Sequence, residues 1–197
     1  AGNEFPADRF QGLLHRTLML GLLTRVAKGM GIDTRAHYQG VSARSLRAAI
    51  REQGLAPMCE RLRQVLPDLR DQFTGAIDGT EYERYWEIKM RGLHAWQVRC
   101  VLEALDRIGG DGLVLADVGD SSGNHAAYIQ ALAPPGQVSR VVSVNLDPVA
   151  VEKVRAKGGE AVLSRAEDLD LEQLRPDLFL SFETIEHLTD PVRFLHA

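Results

Sequence analysis

The stretch that decides the fold runs from Leu113 to His125, with the sequence L-V-L-A-D-V-G-D-S-S-G-N-H. Its first six residues are apolar except for Asp117, which predicts a buried β-strand. The small residues Gly119, Ser121 and Gly123 follow, and a helical pattern begins directly after them. A strand, a tight loop and a helix start in this order let the backbone approach a nucleotide closely, so we expect a nucleotide-binding loop here.

Beyond this loop, strand and helix patterns alternate, which predicts a doubly wound, mainly parallel α/β sheet over residues 111–197. Only four strands can be read, and the chain stops six residues after Pro191, so we expect the sheet to be truncated after its fourth strand. Such a sheet has a long apolar edge. We therefore expect a fragment of a longer protein, or a partner or a second copy that covers this edge. The predicted strands are 113–118, 138–144, 161–164 and 178–182, and the predicted helices between the first three are 126–133 and 148–157.

Residues 1–110 carry helical patterns only, which predicts a helical region that supplies a lid, part of an acceptor pocket or an interaction segment. The predicted helices run from Leu13 to Val26, from about Ser42 to Gly54, and from Pro57 to Pro67. A capping box, Thr80-x-x-Glu83, predicts the start of an aromatic-rich helix, and a longer helix follows and ends at Gly109. Within these last two helices Trp96 is expected in the core, while Tyr85, Trp86 and Arg91 fit either a core or a lid.

Composition excludes several classes of protein. The chain has 197 residues, 45% of them hydrophobic, and a net charge of −4, which gives no footprint for sequence-independent nucleic-acid binding. The apolar run Thr17–Thr24 is too short to cross a membrane. Cys59 and Cys100 have no zinc-site spacing and fit a reducing compartment, so we expect a cytoplasmic protein that binds neither membranes nor nucleic acid.

The loop itself distinguishes between two nucleotide classes. A dinucleotide fingerprint needs glycine at positions 119, 121 and 124, and only Gly119 meets it. Asp117 and Asp120 suit a ligand with a cationic part better than an anionic pyrophosphate. An NAD-dependent oxidoreductase is therefore the weaker alternative.

The stretch resembles the first motif, [D/E]-x-G-x-G-x-G, of class I S-adenosylmethionine-dependent methyltransferases. Asp117, Gly119 and Gly123 match, and Ser121 replaces the middle glycine. The resemblance implies that S-adenosylmethionine is the cofactor, that the loop passes under its methionine moiety and ribose, and that the strand acid helps to hold the amino-acid end.

Three further segments are similar to motifs of the same family. Asn145 stands where the family has an acid that binds the ribose, with Leu146 and Asp147 after it, and Asp147 is a candidate substitute. Residues 164–169 resemble a segment that flanks the adenine, although Glu167 and Asp168 also fit a helix-capping pair. Residues 186–191 resemble the E-H-x-x-D-P ending of small-molecule methyltransferases. The predicted cofactor-binding residues are Asp117, Gly119, Asp120, Ser121, Gly123, Asn145, Leu146, Asp147, Ala166, Glu167 and Glu183.

These motifs predict methyl transfer to a small molecule, at oxygen, with nitrogen and carbon acceptors left open. His187 is the candidate base and Glu186 the residue that orients it, although both also fit a role in bracing the next helix. Glu183 and His187 lie four residues apart, but no third ligand is evident, so no metal site is predicted. A non-catalytic scaffold that keeps the fold is the alternative from a different class.

Overall fold

A computed structural model describes residues 25–26, 29–73 and 77–196 of the chain. The predicted helix from Leu13 to Val26 lies outside the described residues, apart from its last two positions. No helix within the described residues is both long enough and apolar enough to span a membrane.

The first half of the described chain is helical. Asp33 caps the first helix by accepting a hydrogen bond from the Ala36 backbone N–H, so this helix begins eight residues before the predicted Ser42. The capping box at Thr80 is wrong as well, because Asp78 caps the helix there by accepting from the N–H groups of Thr80 and Glu81. The helices are α1 (Thr34–Glu52), α2 (Ala56–Val65), a 3-10 turn (Arg70–Gln72), α3 (Gly79–Glu81), a π-helical turn (Tyr82–Trp86) and α4 (Glu87–Ile108).

The second half is a four-stranded parallel sheet with the strand order β3-β2-β1-β4. The chain runs outward from β1 to β3 and then returns to place β4 on the other side of β1, so the strand order reverses at β1. Ligands of open α/β sheets bind at such a reversal, outside the carboxyl ends of the strands. The elements are β1 (Leu113–Val118), α5 (Asn124–Leu132), β2 (Val138–Asn145), α6 (Pro148–Ala156), β3 (Glu160–Leu163), α7 (Leu171–Leu174), β4 (Leu178–Leu180) and α8 (Pro191–His196).

This sheet confirms the predicted parallel α/β fold. Within the described sheet β4 pairs with β1 alone, which makes β4 an edge strand. Phe179 of β4 is exposed. The expectation that a partner or a second copy covers this edge remains a prediction.

Two apolar clusters attach the helical half to the sheet. The first joins Leu62 of α2, Val98 of α4 and Tyr128 of α5, and the second joins Leu105 of α4 to sheet residues such as Leu115. Helix α4 contributes to both clusters, so it fixes the helical half beside the carboxyl end of β1.

Most of the aromatic and cationic residues singled out in α4 and in the π-helical turn before it make contacts within the protein, and Trp96 is the exception. Trp96, which was expected in the core, is 44% exposed, because it lies on the outer side of α4. Arg91 is 1% exposed, and it donates hydrogen bonds to Glu87 and to the Tyr128 hydroxyl, the latter at 2.8 Å. Trp86 donates to Glu81 and packs edge-on against Tyr85. These contacts favour the core interpretation of Tyr85, Trp86 and Arg91 over the lid.

Candidate cofactor cleft

A cleft of about 220 Å³ lies between helix α4 and the carboxyl ends of β1 and β4. Sites that enclose a whole drug-sized ligand measure roughly 300–1,000 Å³, so this cleft has room for only part of such a ligand. The described residues that line it include two acids and two histidines but no lysine or arginine. They are Gln72, Met90, Leu93, His94, Gln97, Gly119, Asp120, Ser121, Asn124, His125, Phe182 and Glu183.

Gly119 begins the loop that forms the floor of the cleft. Its φ of +94° lies in the left-handed region, and a Cβ atom at this position would collide with Thr184 Oγ1. The Thr184 hydroxyl is within donating distance of the Val118 and Phe182 carbonyls, at 2.9 and 3.0 Å, and it holds the turn after β4 against the loop. Glu183 in that turn also has a positive φ, +54°, so this turn carries backbone strain beside the cleft.

Asp117 and His125 form a buried ion pair behind the cleft wall. His125 Nδ1 lies 3.1 Å from Asp117 Oδ2, and Nε2 lies 3.0 Å from Gln97 Oε1. Both partner atoms are oxygens, an arrangement that favours a proton on each ring nitrogen. Burial by itself lowers the pKa of His125, but Asp117 and Asp120 outweigh it and raise the pKa. The prediction that Asp117 holds a ligand directly is not supported by this geometry, because its carboxylate is bound to His125 and does not line the cleft.

Of the two acids Asp117, in β1, and Asp120, in the loop after it, only Asp120 lines the cleft. It is buried, and its oxygens accept from the Ser143 hydroxyl at 3.0 Å and from the Gly123 backbone N–H at 3.1 Å. Burial and the neighbouring Asp117 raise the pKa of Asp120 to about 6. Because the Asp117 carboxylate is paired with His125, Asp120 is the acid of this buried cluster that faces the cleft.

His94 forms the wall opposite the loop. It is 1% exposed, and its ring packs edge-on against His125 with the ring centroids 5.0 Å apart. Burial, and then the charge of His125, lower the pKa of His94 to about 3, so this ring is neutral at physiological pH. The two histidines of the cleft therefore differ in charge, because only His125 has a carboxylate partner.

The predicted residues at the end of β2 lie beside the cleft and are not among its lining residues. The Asn145 side chain accepts from the Asp147 backbone N–H at 2.9 Å, and the Asp147 side chain caps α6 by accepting from the Val149 N–H. Leu146 is 70% exposed. Asn145 and Asp147 are thus engaged in local backbone bonds, and Leu146 offers an apolar surface at the rim.

The predicted adenine-flanking residues follow β3 and are engaged in contacts within the protein. Ala166 is buried in an apolar cluster with Val118 and Val144. The carboxylate of Glu167 accepts from Thr189 Oγ1 at 3.1 Å and from the Asp190 N–H at 3.3 Å. Hydrogen bonding by backbone N–H groups, its own and that of Asp190, keeps the pKa of Glu167 below its usual range. In this structure Glu167 braces the start of α8, as the capping alternative expects.

The two predicted catalytic residues lie on the 3-10 turn Ile185–His187, which follows the cleft-lining Glu183. Both Glu186 and His187 are exposed, and neither is among the described residues that line the cleft. Their roles remain predictions.

Sequence reasoning missed the polar wall formed by Gln72, His94, Gln97 and His125. His94 and Gln97 are three residues apart on α4, which places them on one face of the helix. The signal that could have found them is that these two polar residues lie on the face of α4 that also carries the apolar Val101.

Asp117, Asp120 and His125 offer ligand atoms within 4.8 Å of one another, a grouping that could hold a metal ion. The Asp117 and His125 atoms are paired with each other, and both oxygens of Asp120 accept hydrogen bonds from the chain. These existing bonds give no support to a metal site.

Comparison of the chain with known proteins identifies one matching family. Residues 116–197 match the family model described as "Methyltransferase domain". No curated protein sequence matches the chain. One similar solved chain belongs to a complex between the Haloferax volcanii Trm112 methyltransferase activator and a methyltransferase, with 18% sequence identity and a TM-score of 0.41. The similarity covers 65% of the present chain and 53% of that chain, about half its length.

Proposed function

Because residues 116–197 match the methyltransferase domain family model, we propose that this chain binds S-adenosylmethionine and transfers its methyl group to the oxygen of a small molecule. The observation that carries this proposal is the charge of the cleft. Asp120 and Glu183 line it, and its described lining residues include no lysine or arginine. A sulfonium cation suits such a cleft, whereas the pyrophosphate of a dinucleotide would bring negative charge toward two carboxylates.

The cleft also fits the amino-acid end of this cofactor, which carries an ammonium and a carboxylate. Asp120 is an acceptor for the ammonium. Both ring nitrogens of His125 are engaged by Asp117 and Gln97, so His125 attracts the carboxylate through its positive charge and not through a further hydrogen bond. Because both groups line one cleft, they can bind the two ends of a zwitterion together. Gly119 and Ser121 leave the loop without a large side chain, so a ligand can approach its backbone.

We place the nucleoside half over the carboxyl end of β2. Leu146 supplies an exposed apolar surface at this rim, and Asn145 and Asp147 flank it. Asn145 and Asp147 would have to exchange a local hydrogen bond for one to the ribose, since both side chains are engaged. Ala166 packs against the ends of β1 and β2, and Glu167 accepts hydrogen bonds from Thr189 and Asp190, so in this proposal both residues support the cleft indirectly.

S-adenosylmethionine supplies an activated methyl group when it is bound, so the chain mainly supplies proximity and orientation. A hydroxyl acceptor would have to lose its proton as it takes up the methyl group, and this transfer leaves the cofactor as a thioether. We assign this proton to His187, with Glu186 beside it, because the turn that carries them follows the cleft-lining Glu183 directly.

The helical half supplies the acceptor side of the cleft in this proposal. Met90 and Leu93 of α4 line it together with Phe182. Three apolar side chains, and a described lining without lysine or arginine, favour an acceptor with an apolar body and without a phosphate group. The proposed location is the cytoplasm.

Calorimetric titration tests the proposal. We expect micromolar binding of S-adenosylmethionine and of its demethylated product, and no heat from NAD. Binding of NAD alone would support the oxidoreductase instead. A chain that binds none of the three would support the non-catalytic scaffold. Product formation with a panel of sugar, quinone and carboxylic-acid acceptors then identifies the substrate.

A further inference from the structure

We propose that Lys157 determines which ring nitrogen of His94 carries the proton, through a hydrogen-bond chain that passes through Asn124 and Gln72. His94 then presents an N–H donor for an anionic oxygen of a ligand in the cleft. Lys157 is thus a positioning residue that acts on the cleft from the end of α6. The inference rests on the proposed function only for the identity of that ligand.

The hydrogen-bond chain has a fixed direction, because it starts at the Lys157 ammonium, a group that can only donate. The Lys157 ammonium lies 2.7 Å from the Ser122 carbonyl and 3.3 Å from Asn124 Oδ1, and it forms an ion pair with Asp71. An ammonium has no acceptor, so Asn124 must turn its oxygen toward Lys157 and its amide N–H groups away. The opposite orientation of Asn124 would bring two donors together.

The next two links follow from this orientation. Asn124 Nδ2 lies 3.2 Å from Gln72 Oε1, so Gln72 accepts there and its own amide nitrogen faces the other way. Gln72 Nε2 lies 3.3 Å from His94 Nε2. The Gln72 nitrogen can only donate, so His94 Nε2 must accept and carries no proton.

The proton of the neutral His94 ring is therefore on Nδ1. This nitrogen is buried and has no hydrogen-bond partner within residues 25–26, 29–73 and 77–196. A buried donor without a partner is destabilising, so this N–H requires an explanation.

An anionic oxygen is the partner that fits. Asp120 and Glu183 also line the cleft, but the charges that act on the His94 ring are those of His125, whose ring lies 5.0 Å away, and of Arg91. Both lower the pKa of His94, so the surroundings of this ring favour negative charge. A carboxylate or an ionised hydroxyl has this chemistry. Its source is either the cofactor's amino-acid end or the methyl acceptor, and the experiment below separates the two.

The tautomer can be read directly by nitrogen NMR of the chain labelled with 15N-histidine, with His94→Gln used to assign the signal. In the ligand-free wild type we expect the proton on Nδ1. Asn124→Asp should reverse the direction of the hydrogen bonds from residue 124 to His94, because an aspartate only accepts. Gln72 would then donate to Asp and offer its oxygen to His94, whose proton moves to Nε2.

Gln72→Glu is a second route to the same reversal, because a glutamate accepts from both neighbours. It keeps the test valid if Asn124→Asp fails to fold. Gln130→Glu, an equivalent amide-to-acid change at an exposed position of α5, should leave the His94 tautomer unchanged. A wild-type proton on Nε2, or an unchanged tautomer in the folded Asn124→Asp and Gln72→Glu variants, would overturn the proposal.

Binding measurements identify the oxygen. If it comes from the cofactor, Asn124→Asp should weaken S-adenosylmethionine binding about tenfold or more and leave decarboxylated S-adenosylmethionine unaffected. If it comes from the acceptor, both cofactors should bind as in wild type and the KM for the acceptor should rise. Unchanged binding and KM in a variant with a reversed tautomer would contradict the ligand role. Because the tautomer is read without ligand, a wild type that binds no cofactor would refute the proposed function alone.

Discussion

Asp117 Oδ2 and His125 Nδ1 lie 3.1 Å apart in a buried ion pair, and this contact decides which carboxylate faces the cleft. The acid of the strand is neutralised by a histidine eight residues later. Asp120, three residues after Asp117, is left to interact with a ligand. Removing the Asp117 carboxylate and removing the Asp120 carboxylate should therefore have different effects. The pH dependence that arises from Asp120 and the one that arises from His125 can be measured separately.

Replacing Asp120 with Asn should weaken S-adenosylmethionine binding about tenfold or more at pH 7.5, because a neutral amide loses its attraction to a cationic ligand. The raised pKa of Asp120, about 6, adds a pH dependence. Wild-type affinity should fall as the pH drops from 7.5 to 5, since the carboxyl becomes protonated. The affinity of Asp120→Asn should lack this decrease.

Isothermal titration at several pH values checks the Asp120 prediction. Asp106→Asn provides the control, because it makes the same chemical change at an exposed position of α4. Equal affinities of wild type and Asp120→Asn at pH 7.5 would remove Asp120 from cofactor binding.

Replacing His125 with Gln should reduce the free energy of unfolding most below neutral pH. A raised pKa in the folded state stabilises the protein fully below the unfolded value of about 6.5. This stabilisation is lost as the pH rises through the higher folded-state value. Breaking a buried ion pair costs about 3 kcal/mol, and we expect a difference of that order at pH 6 that shrinks toward pH 9.

Urea unfolding of wild type and His125→Gln at pH 6 and pH 9 measures this difference. His37→Gln, at an exposed histidine of α1, should show no such dependence. A stability difference that stays constant from pH 6 to pH 9 would show that His125 is not charged in the folded protein.

Replacing Gly119 with Ala should both destabilise the chain and abolish cofactor binding. The new Cβ would adopt a positive φ and collide with Thr184 Oγ1, so the turn after β4 would move. Gly136→Ala is a matched control, because Gly136 also has a positive φ, +83°, but no described atom lies within 4 Å of its Cβ position.

Thermal unfolding should show a loss of about 1–3 kcal/mol from backbone strain in both variants and a further loss in Gly119→Ala. Only Gly119→Ala should lose cofactor binding. Similar losses of stability and unchanged binding in both would mean that the contact with Thr184 has no role in the loop.

Replacing His187 with Ala should lower kcat with a hydroxyl acceptor by about 100-fold, the lower end of what a positioned base contributes. Cofactor affinity should stay as in wild type, because His187 is not among the described residues that line the cleft. A kcat equal to that of wild type would assign the exposed turn a structural role only.

Much of the fold followed from local patterns. Alternating apolar runs identified all four strands, and the end of α4 at Gly109 was predicted because a glycine with a positive φ, here +67°, ends many helices. The start of α1 was missed because its cap, Asp33, precedes the apolar residues that marked the helix. Trp96 was misplaced because helical periodicity does not say which face meets a partner.

The sequence by itself determined the parallel sheet and the Gly119 to Gly123 loop, because strand alternation and tight-turn chemistry depend on near neighbours in the chain. Only the tertiary structure decided which polar groups meet in the cleft. His125 reaches Gln97 across 28 residues, and Asn124 reaches Gln72 across 52. Such pairings set the charge of His125 and the direction of the hydrogen-bond chain to His94, and they exist only once α4 packs beside the carboxyl end of β1.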